Sequence, residues 1–322
     1  MRLSKTKIAA VVLAAGMSVT GCGQMTSDIM INTDGSAKMT VTTDIKRSTF
    51  INLYGPMVGS FSGEKLSDAD IDKAMLEDGK TKIVEIDGEK YYHSTDTSTH
   101  TNKEMNKEFS ESGTGYITGS VFYISGNEVS SGVLSESNGM SEDMFKELGI
   151  SESEFKDFKV QYSVEFKAPI TNTNGKIDEA NPNKVSFNLD YTSTNFELFA
   201  TTESGTTINT VKNTVKKLNY VKPTKITKYK VAKTAKKAKK TSVKLTLKKV
   251  KGSKQYDVQY STKKNMKKAK NITLLGKRTA TIRKLSKGKT YYFRVRASKK
   301  NYADVTVYSD WSKVKKIKIS KK

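Results

Sequence analysis

The chain of 322 residues contains one cysteine, Cys22, and two histidines, His93 and His100. One thiol excludes an intramolecular disulfide, so each domain must be held by its own apolar core. No apolar run approaches the about 20 residues that a helix needs to cross a bilayer. The longest begins at Ile8 and ends at Val19, interrupted by Gly16, Met17 and Ser18. There is also no glycine-rich phosphate loop, no nucleophile elbow and no Cys/His pair, which removes three common routes to catalysis.

What is present begins with Arg2, Lys5 and Lys7, followed by that short apolar run and then by Val19, Thr20, Gly21 and Cys22. A charged start and a short apolar segment describe a cleaved signal peptide, residues 1–21. The junction of one aliphatic residue, two small residues and cysteine resembles the lipobox of bacterial lipoproteins. That resemblance implies a diacylglyceryl group on Cys22, which becomes the first residue after cleavage. Each buried CH₂ contributes about 0.8 kcal/mol, and a single acyl chain holds a protein only marginally, so two chains matter. The expected location is the extracytoplasmic face of a bacterial membrane, held by lipid.

Charge divides the chain. From Val221 to Lys322 there are 35 Lys and Arg against three acids, Asp257, Asp304 and Asp310, a net of +32. Between Cys22 and Val221 there are 19 basic and 30 acidic residues, a net of −11. Length and charge together give two domains: an acidic one over residues 22–200, a linker over 201–222 and a basic one over 223–320. In the linker, Ile208, Val211, Val215 and Leu218 fit one face of a short helix and fit a polar tether equally well.

In the acidic part, a short tether leads to Ile29-Met30-Ile31, the turn Asn32-Thr33-Asp34-Gly35, and alternating Ala37, Met39 and Val41, which is a hairpin pattern. Gly55-Pro56 is a breaker. Ser67 reads as an N-cap, with Ile71, Met75 and Leu76 on one helix face and Gly79 beyond its end. A second hairpin covers Lys82–Ile86, Asp87-Gly88 and Lys90–His93. The polar stretch to Gly115 reads as loop with a helical turn near Met105. Val121–Ile124 reads as a strand, Ser141 caps a helix with Met144, Phe145 and Leu148, and strands follow at Val160–Phe166, Val185–Leu189 and Phe196–Ala200. This irregular order predicts an α+β fold, an antiparallel sheet with short helices, rather than a doubly wound one. The segment Asp28–Val41 after a lipobox, with Thr173-Asn174-Gly175 and Val185–Leu189, resembles the LppM-type lipoprotein domain of Gram-positive bacteria. Members are non-enzymatic envelope lipoproteins that commonly end in a transmembrane helix; here a second domain stands in that place.

In the basic part, Val243, Leu245 and Leu247 alternate with polar residues, as do Tyr256, Val258 and Tyr260, and Tyr291, Phe293, Val295 and Ala297. About seven such strands in about 100 residues predict an all-β sandwich. Leu285–Ala297 resembles the E–F corner and F strand of fibronectin type III domains, a family of immunoglobulin-like sandwiches. The resemblance runs from Pro223 to Ile319. It implies a tyrosine corner made by Leu285 and Tyr291 and places Trp311 near the last strand, with Leu247 where the family usually carries a core tryptophan. The Lys-rich variant is similar to modules in surface proteins of Clostridia-like bacteria.

Site chemistry is sparse. His93, Asp96 and His100 in a Ser/Thr-rich stretch read as solvated side chains rather than metal ligands. Asp68, Asp70 and Asp72 imitate a calcium loop, but Lys73 and Gly79 occupy positions that need Gly and Glu, so acids at a helix N-terminus explain them. No catalytic residue, cofactor or metal is expected. The lysines Lys236, Lys237, Lys239, Lys240, Lys263, Lys264, Lys267 and Lys268, with Tyr292 and Tyr302 for stacking, form a polyanion-binding candidate. Outside a cell the polyanions are teichoic acid, acidic polysaccharide and anionic lipid headgroups rather than nucleic acid; a solvated face that keeps the domain soluble explains the lysines equally well. The expectation is an adhesive, binding or structural lipoprotein. The alternative is an extracellular wall or glycan hydrolase with paired carboxylates in the N-terminal domain, and a two-lobed solute-binding lipoprotein is the third reading.

Overall fold

The computed structural model describes residues 23–52, 66–111, 113–128, 159–190, 193–235 and 237–321. Signal peptide, lipobox, Cys22, Lys236, Gly55-Pro56 and the helix expected after Ser141 lie outside the described residues. The chain forms two units that divide between Val211 and Lys212, and both are rich in antiparallel strands.

The first strand, β1 (Gly23–Ile31), turns through Asn32–Ser36 into β2 (Ala37–Lys46). The turn is closed by Asn32 N–H to Ser36 O at 2.8 Å and needs Gly35, whose φ of +81° favours glycine. No separate tether precedes this hairpin: β1 starts one residue after Cys22 and is paired from Gly23 onward. Residues 47–52 are helical. Helix α1 (Asp68–Leu76) begins at Ser67, which forms a reciprocal capping box with Asp70 and buries Ile71 and Met75. Strands β3 (Lys82–Ile86) and β4 (Glu89–His100) meet at a two-residue turn, Asp87-Gly88, with both φ positive.

The Ser/Thr stretch expected as loop is strand. β4 pairs with β2 along ten residues, from Lys46 opposite Tyr91 to Ala37 opposite His100, and its threonines face threonines, Thr40 with Thr97 at 3.1 Å. Helix α2 (Asn102–Glu111) follows and completely buries Met105. Then come β5 (Thr114–Ile117), β6 (Val121–Glu128), β7 (Lys159–Glu165), the two-residue strands β8 (Asn172–Thr173) and β9 (Lys176–Ile177), β10 (Lys184–Asp190) and β11 (Thr194–Thr201).

Seven strands make one sheet in the order β3-β4-β2-β1-β7-β10-β9, and four make another in the order β5-β6-β11-β8. The larger sheet is mixed, because β1 runs parallel to β7. Ile29, Ile31, Val164, Val185 and Phe187 from the first sheet and Ile117, Phe122, Leu198 and Ala200 from the second share one core with Met105.

Helix α3 (Ile208–Asn219) lies in the expected linker and carries the division between the units. The second unit has one sheet ordered β12 (Ile226–Val231), β13 (Lys240–Leu247), β16 (Thr279–Ser286). The other is ordered β15 (Lys270–Leu275), β14 (Gln255–Ser261), β17 (Thr290–Lys300), β18 (Thr306–Tyr308), with β19 (Lys315–Lys318) also paired to β17. Inward residues of both, among them Val243, Leu245, Leu247, Ile282, Val258, Phe293, Val295 and Ile317, form one core. Alternating strands buried on one face thus pack as two layers.

Candidate polyanion-binding surface

Strand direction decides where the lysines go. β12 enters with Ile226 opposite Leu247 and finishes with Val231 opposite Val243, so the connection to β13 lies at the end of the unit away from the chain's entry. Lys240 opens β13 opposite Ser286, the last residue of β16. β14 finishes with Ser261 opposite Tyr292, close to the start of β17, and Thr290 is opposite Lys318 of β19. Residues 232–235, 237–239, 262–269, 287–289 and 319–321 therefore gather at one end.

Hydrogen bonds tie these segments together. Lys287 N–H donates to Lys239 O at 3.0 Å, Gly288 N–H to Ile319 O at 2.9 Å and Ile319 N–H to Lys289 O at 2.9 Å. The Lys287 ammonium donates to Ala235 O at 3.1 Å, and Ser261 Oγ donates to Lys267 O at 2.9 Å. Of the eight lysines singled out in the sequence, seven are described, Lys237, Lys239, Lys240, Lys263, Lys264, Lys267 and Lys268; all are exposed, and all lie at this end. The fold thus joins two lysine clusters 23 residues apart in the chain, counted from Lys240 to Lys263. Lys289, Lys318 and Lys321 add to them and are exposed too. None of the three acids of the unit, Asp257, Asp304 and Asp310, falls in these segments.

Leu285 is buried, and Tyr291 Oη accepts a hydrogen bond from Ser286 N–H at 3.0 Å. Tyr292 and Tyr302 are half-buried. The sequence reading missed an arrangement on the outer face of the second sheet. Arg294 and Arg296 stack on Trp311, at 4.7 and 4.6 Å from its ring centre, and Arg296 also covers Tyr308 at 3.8 Å. Arg296 Nε donates to Asp257 at 2.9 Å and Arg294 Nε to Gln259 at 2.7 Å. The alternation Arg294-Val295-Arg296 beside Tyr308-Ser309-Asp310-Trp311-Ser312 is its signal, since Ser309 and Ser312 hydroxyls accept from Ala297 and Val295 N–H at 3.0 and 3.1 Å. Arg296 is thus occupied by rings and an acid, and Arg294 by a ring and an amide.

In the N-terminal unit the three residues considered for metal have separate partners. His93 Nδ1 meets Asp44 at 2.7 Å, Lys80 donates to Asp96 at 2.9 Å, and His100 meets Ser98 Oγ at 2.6 Å. Strand alternation puts His93 on the face opposite to Asp96 and His100. Among the described residues no group of three or more His, Cys, Asp or Glu could hold a metal ion. Of the calcium-like acids, Asp70 belongs to the cap and Asp72 accepts two bonds from Arg47, both 2.7 Å, and one from Tyr92 at 2.6 Å. The hydrogen-bonded Arg47 holds the Asp72 carboxyl below the usual range, and burial, with the bond to Asp72, pushes the Tyr92 phenol up. No helix among the described residues is long and apolar enough to cross a membrane.

The chain is a β-rich protein of two units, one of them basic. No protein-family model matches it, and no curated protein does. Among solved structures it is similar to the folded domain of the LppM protein of Mycobacterium tuberculosis, at 15% identity over 59% of this chain and 94% of that one, with a TM-score of 0.30. It is also similar to a chain of a cytokine receptor complex, at 14% identity over 48% of this chain and 89% of that one, with a TM-score of 0.25.

Proposed function

We propose that this protein is a lipoprotein of the extracytoplasmic face, anchored through Cys22, whose C-terminal unit is a fibronectin type III domain that contacts anionic polymers of the cell wall. Its role is binding or structural rather than catalytic. The lipobox supports the anchor. Support for the domain is the division of strands into β12-β13-β16 and β15-β14-β17 with the C-terminal strands, together with the Ser286 to Tyr291 bond next to buried Leu285. The Asp28–Val41 segment, which forms the β1–β2 hairpin, supports an LppM-like N-terminal domain.

The observation that carries the binding role is the convergence of seven exposed lysines from two distant segments at one end of a unit with three acids. Cations of one sign gathered without counter-charges raise the local concentration of a polyanion and release its counterions on contact. The test is pelleting of the mature chain, Cys22 to Lys322, with purified walls stripped of teichoic acid or intact, over a salt series. Binding that needs the teichoic acid and falls steeply with salt is the expected result. Equal pelleting with both walls, or none near physiological salt, overturns the reading.

A further inference from the structure

The outer face of the three-stranded sheet carries a second, more ordered set of cations. Val243 and Leu245 point into the core, so Lys240, Ser242, Lys244 and Thr246 of β13 point outward. Register adds the neighbours: Lys230 is directly opposite Lys244, Lys228 is opposite Thr246, and on the other side Thr281 is opposite Lys244 and Thr279 opposite Thr246. Arg283 follows Ile282, which is buried, and is itself exposed. The face is therefore Lys228, Lys230, Lys240, Lys244 and Arg283, interspersed with serine and threonine hydroxyls. It holds no acid and no aromatic ring.

This arrangement is costly by itself, since like charges directly opposite on neighbouring strands destabilise a sheet. The other sheet of the same unit avoids that cost by giving Arg296 an acid and both arginines a tryptophan. Outward residues along a strand repeat at about 6.6 Å, and strands lie about 4.8 Å apart. The face is thus a grid of four ammonium groups and one guanidinium at the scale of a short polyol-phosphate repeat, with hydroxyls between them. Without an outward ring it offers no platform for stacking bases or sugars, which leaves a ligand recognised by charge and hydrogen bonds alone.

We propose that the outer face of β12–β13–β16 is the track for a phosphodiester polymer of the wall, with Lys228, Lys230, Lys240, Lys244 and Arg283 as its contacts. The inference rests on the wall-polymer reading above and names the surface and the ligand chemistry. Lys244→Glu is the decisive variant, because it converts the like pair with Lys230 into an opposite pair. The sheet is then no less stable while the track is interrupted.

The experiment measures binding of the mature chain and its variants to deacylated poly(glycerol phosphate) by fluorescence anisotropy over a salt series, with thermal unfolding in parallel. The expected result for Lys244→Glu is an affinity about tenfold lower at low salt and a shallower salt slope, with an unchanged or raised melting temperature. Lys251→Glu with Lys254→Glu, both exposed and outside the face and the lysine-rich end alike, changes affinity less. Equal losses from the two variants, or none from Lys244→Glu, overturn the track. Phosphatidylglycerol vesicles and polygalacturonate are the remaining probes. Tighter binding to either one, lost in Lys244→Glu, moves the face to headgroups or to carboxylate polymers and also overturns the proposal. A wild-type chain that binds the polymer but not intact walls contradicts the function proposed above while leaving the track standing.

Discussion

The two units deal with charge in opposite ways. In the N-terminal unit cations find acids: Arg47 meets Asp72 at 2.7 Å, Lys46 meets Glu89 at 3.0 Å and Lys80 meets Asp96 at 2.9 Å. In the C-terminal unit Arg296 meets Asp257 at 2.9 Å, and three acids cannot balance the 35 basic residues from Val221 onward. Both units nonetheless contain a closed apolar core. The comparison teaches that ion pairs are not what holds such a unit together: burial of apolar surface does, and charge is left free for another purpose.

The largest effect expected from breaking the comparison is therefore in a core. Phe293 is fully buried between the sheets of the C-terminal unit and stacks on Tyr260 with ring centres 6.0 Å apart. Phe293→Ala is expected to cost about 4 kcal/mol. Calorimetry of the mature chain checks it: one of two unfolding transitions should move down by many degrees while the other stays. A joint shift of both would show that the units do not unfold separately.

Next in size is the strongest charge network of the N-terminal unit. Asp72 carries the bidentate Arg47 and the Tyr92 hydroxyl, and its carboxyl titrates below the usual range. A carboxylate whose folded value is depressed contributes stability that is complete above its unfolded value of about 3.9 and is lost as the pH falls through the folded value. Asp72→Asn is expected to cost about 2 kcal/mol near neutral pH and to flatten the fall in the melting temperature of this unit below about pH 4. A variant with the acid slope of the wild type would assign that slope to other carboxylates.

These contrasts also mark what could be read in the residues alone. Strands that alternate apolar with polar residues, such as Val243–Leu247 and Tyr291–Ala297, were legible because one face of each enters a core. β4 was not, because Ser94–Thr99 holds no apolar residue to mark a face; β-branched threonine and the long pairing with β2 make it a strand. α2 was read as a single turn since only Met105 and Phe109 stand on its apolar side. Its start was nevertheless written as a capping box, Thr101 with Glu104, whose reciprocal bonds are 2.8 and 3.3 Å. The parallel pairing of β1 with β7 and the stacking of Arg294 and Arg296 on Trp311 bring together residues far apart in the chain, which no local pattern encodes. Of the candidate surface, the lysine clusters were legible and their meeting at one end was not, because strand direction decides it.

A smaller effect is expected from salt. A unit of net charge near +30 repels itself, and raising salt from about 20 mM to about 500 mM shortens the screening length from about 20 Å to about 4 Å. The melting temperature of the C-terminal unit should rise by a few degrees over that range, while the N-terminal unit, where Lys46, Arg47 and Lys80 have acid partners, should move less. The transition identified by Phe293→Ala tells the two apart. If both rise equally, salt acts through apolar burial rather than through charge, and the contrast between the units has no energetic consequence.

The smallest effect sharpens the comparison most. Lys80 and Asp96 form an ion pair of 2.9 Å, close to the 2.7 Å of Arg47 and Asp72, but their side chains are 63% and 71% exposed against 21% and 24%. Asp96 raises the affinity of Lys80 for its proton, yet water solvates both partners and holding two mobile side chains in one geometry costs entropy. Lys80→Ala should leave the melting temperature of the N-terminal unit unchanged within error, whereas Asp72→Asn lowers it. Two pairs of similar length would then differ in their exposure and in the second Arg47 bond and the Tyr92 bond that Asp72 accepts. A clear loss from Lys80→Ala would mean that surface pairing does contribute to the N-terminal unit, and that the basic unit, with three acids for its 35 basic residues from Val221 onward, gives up that contribution.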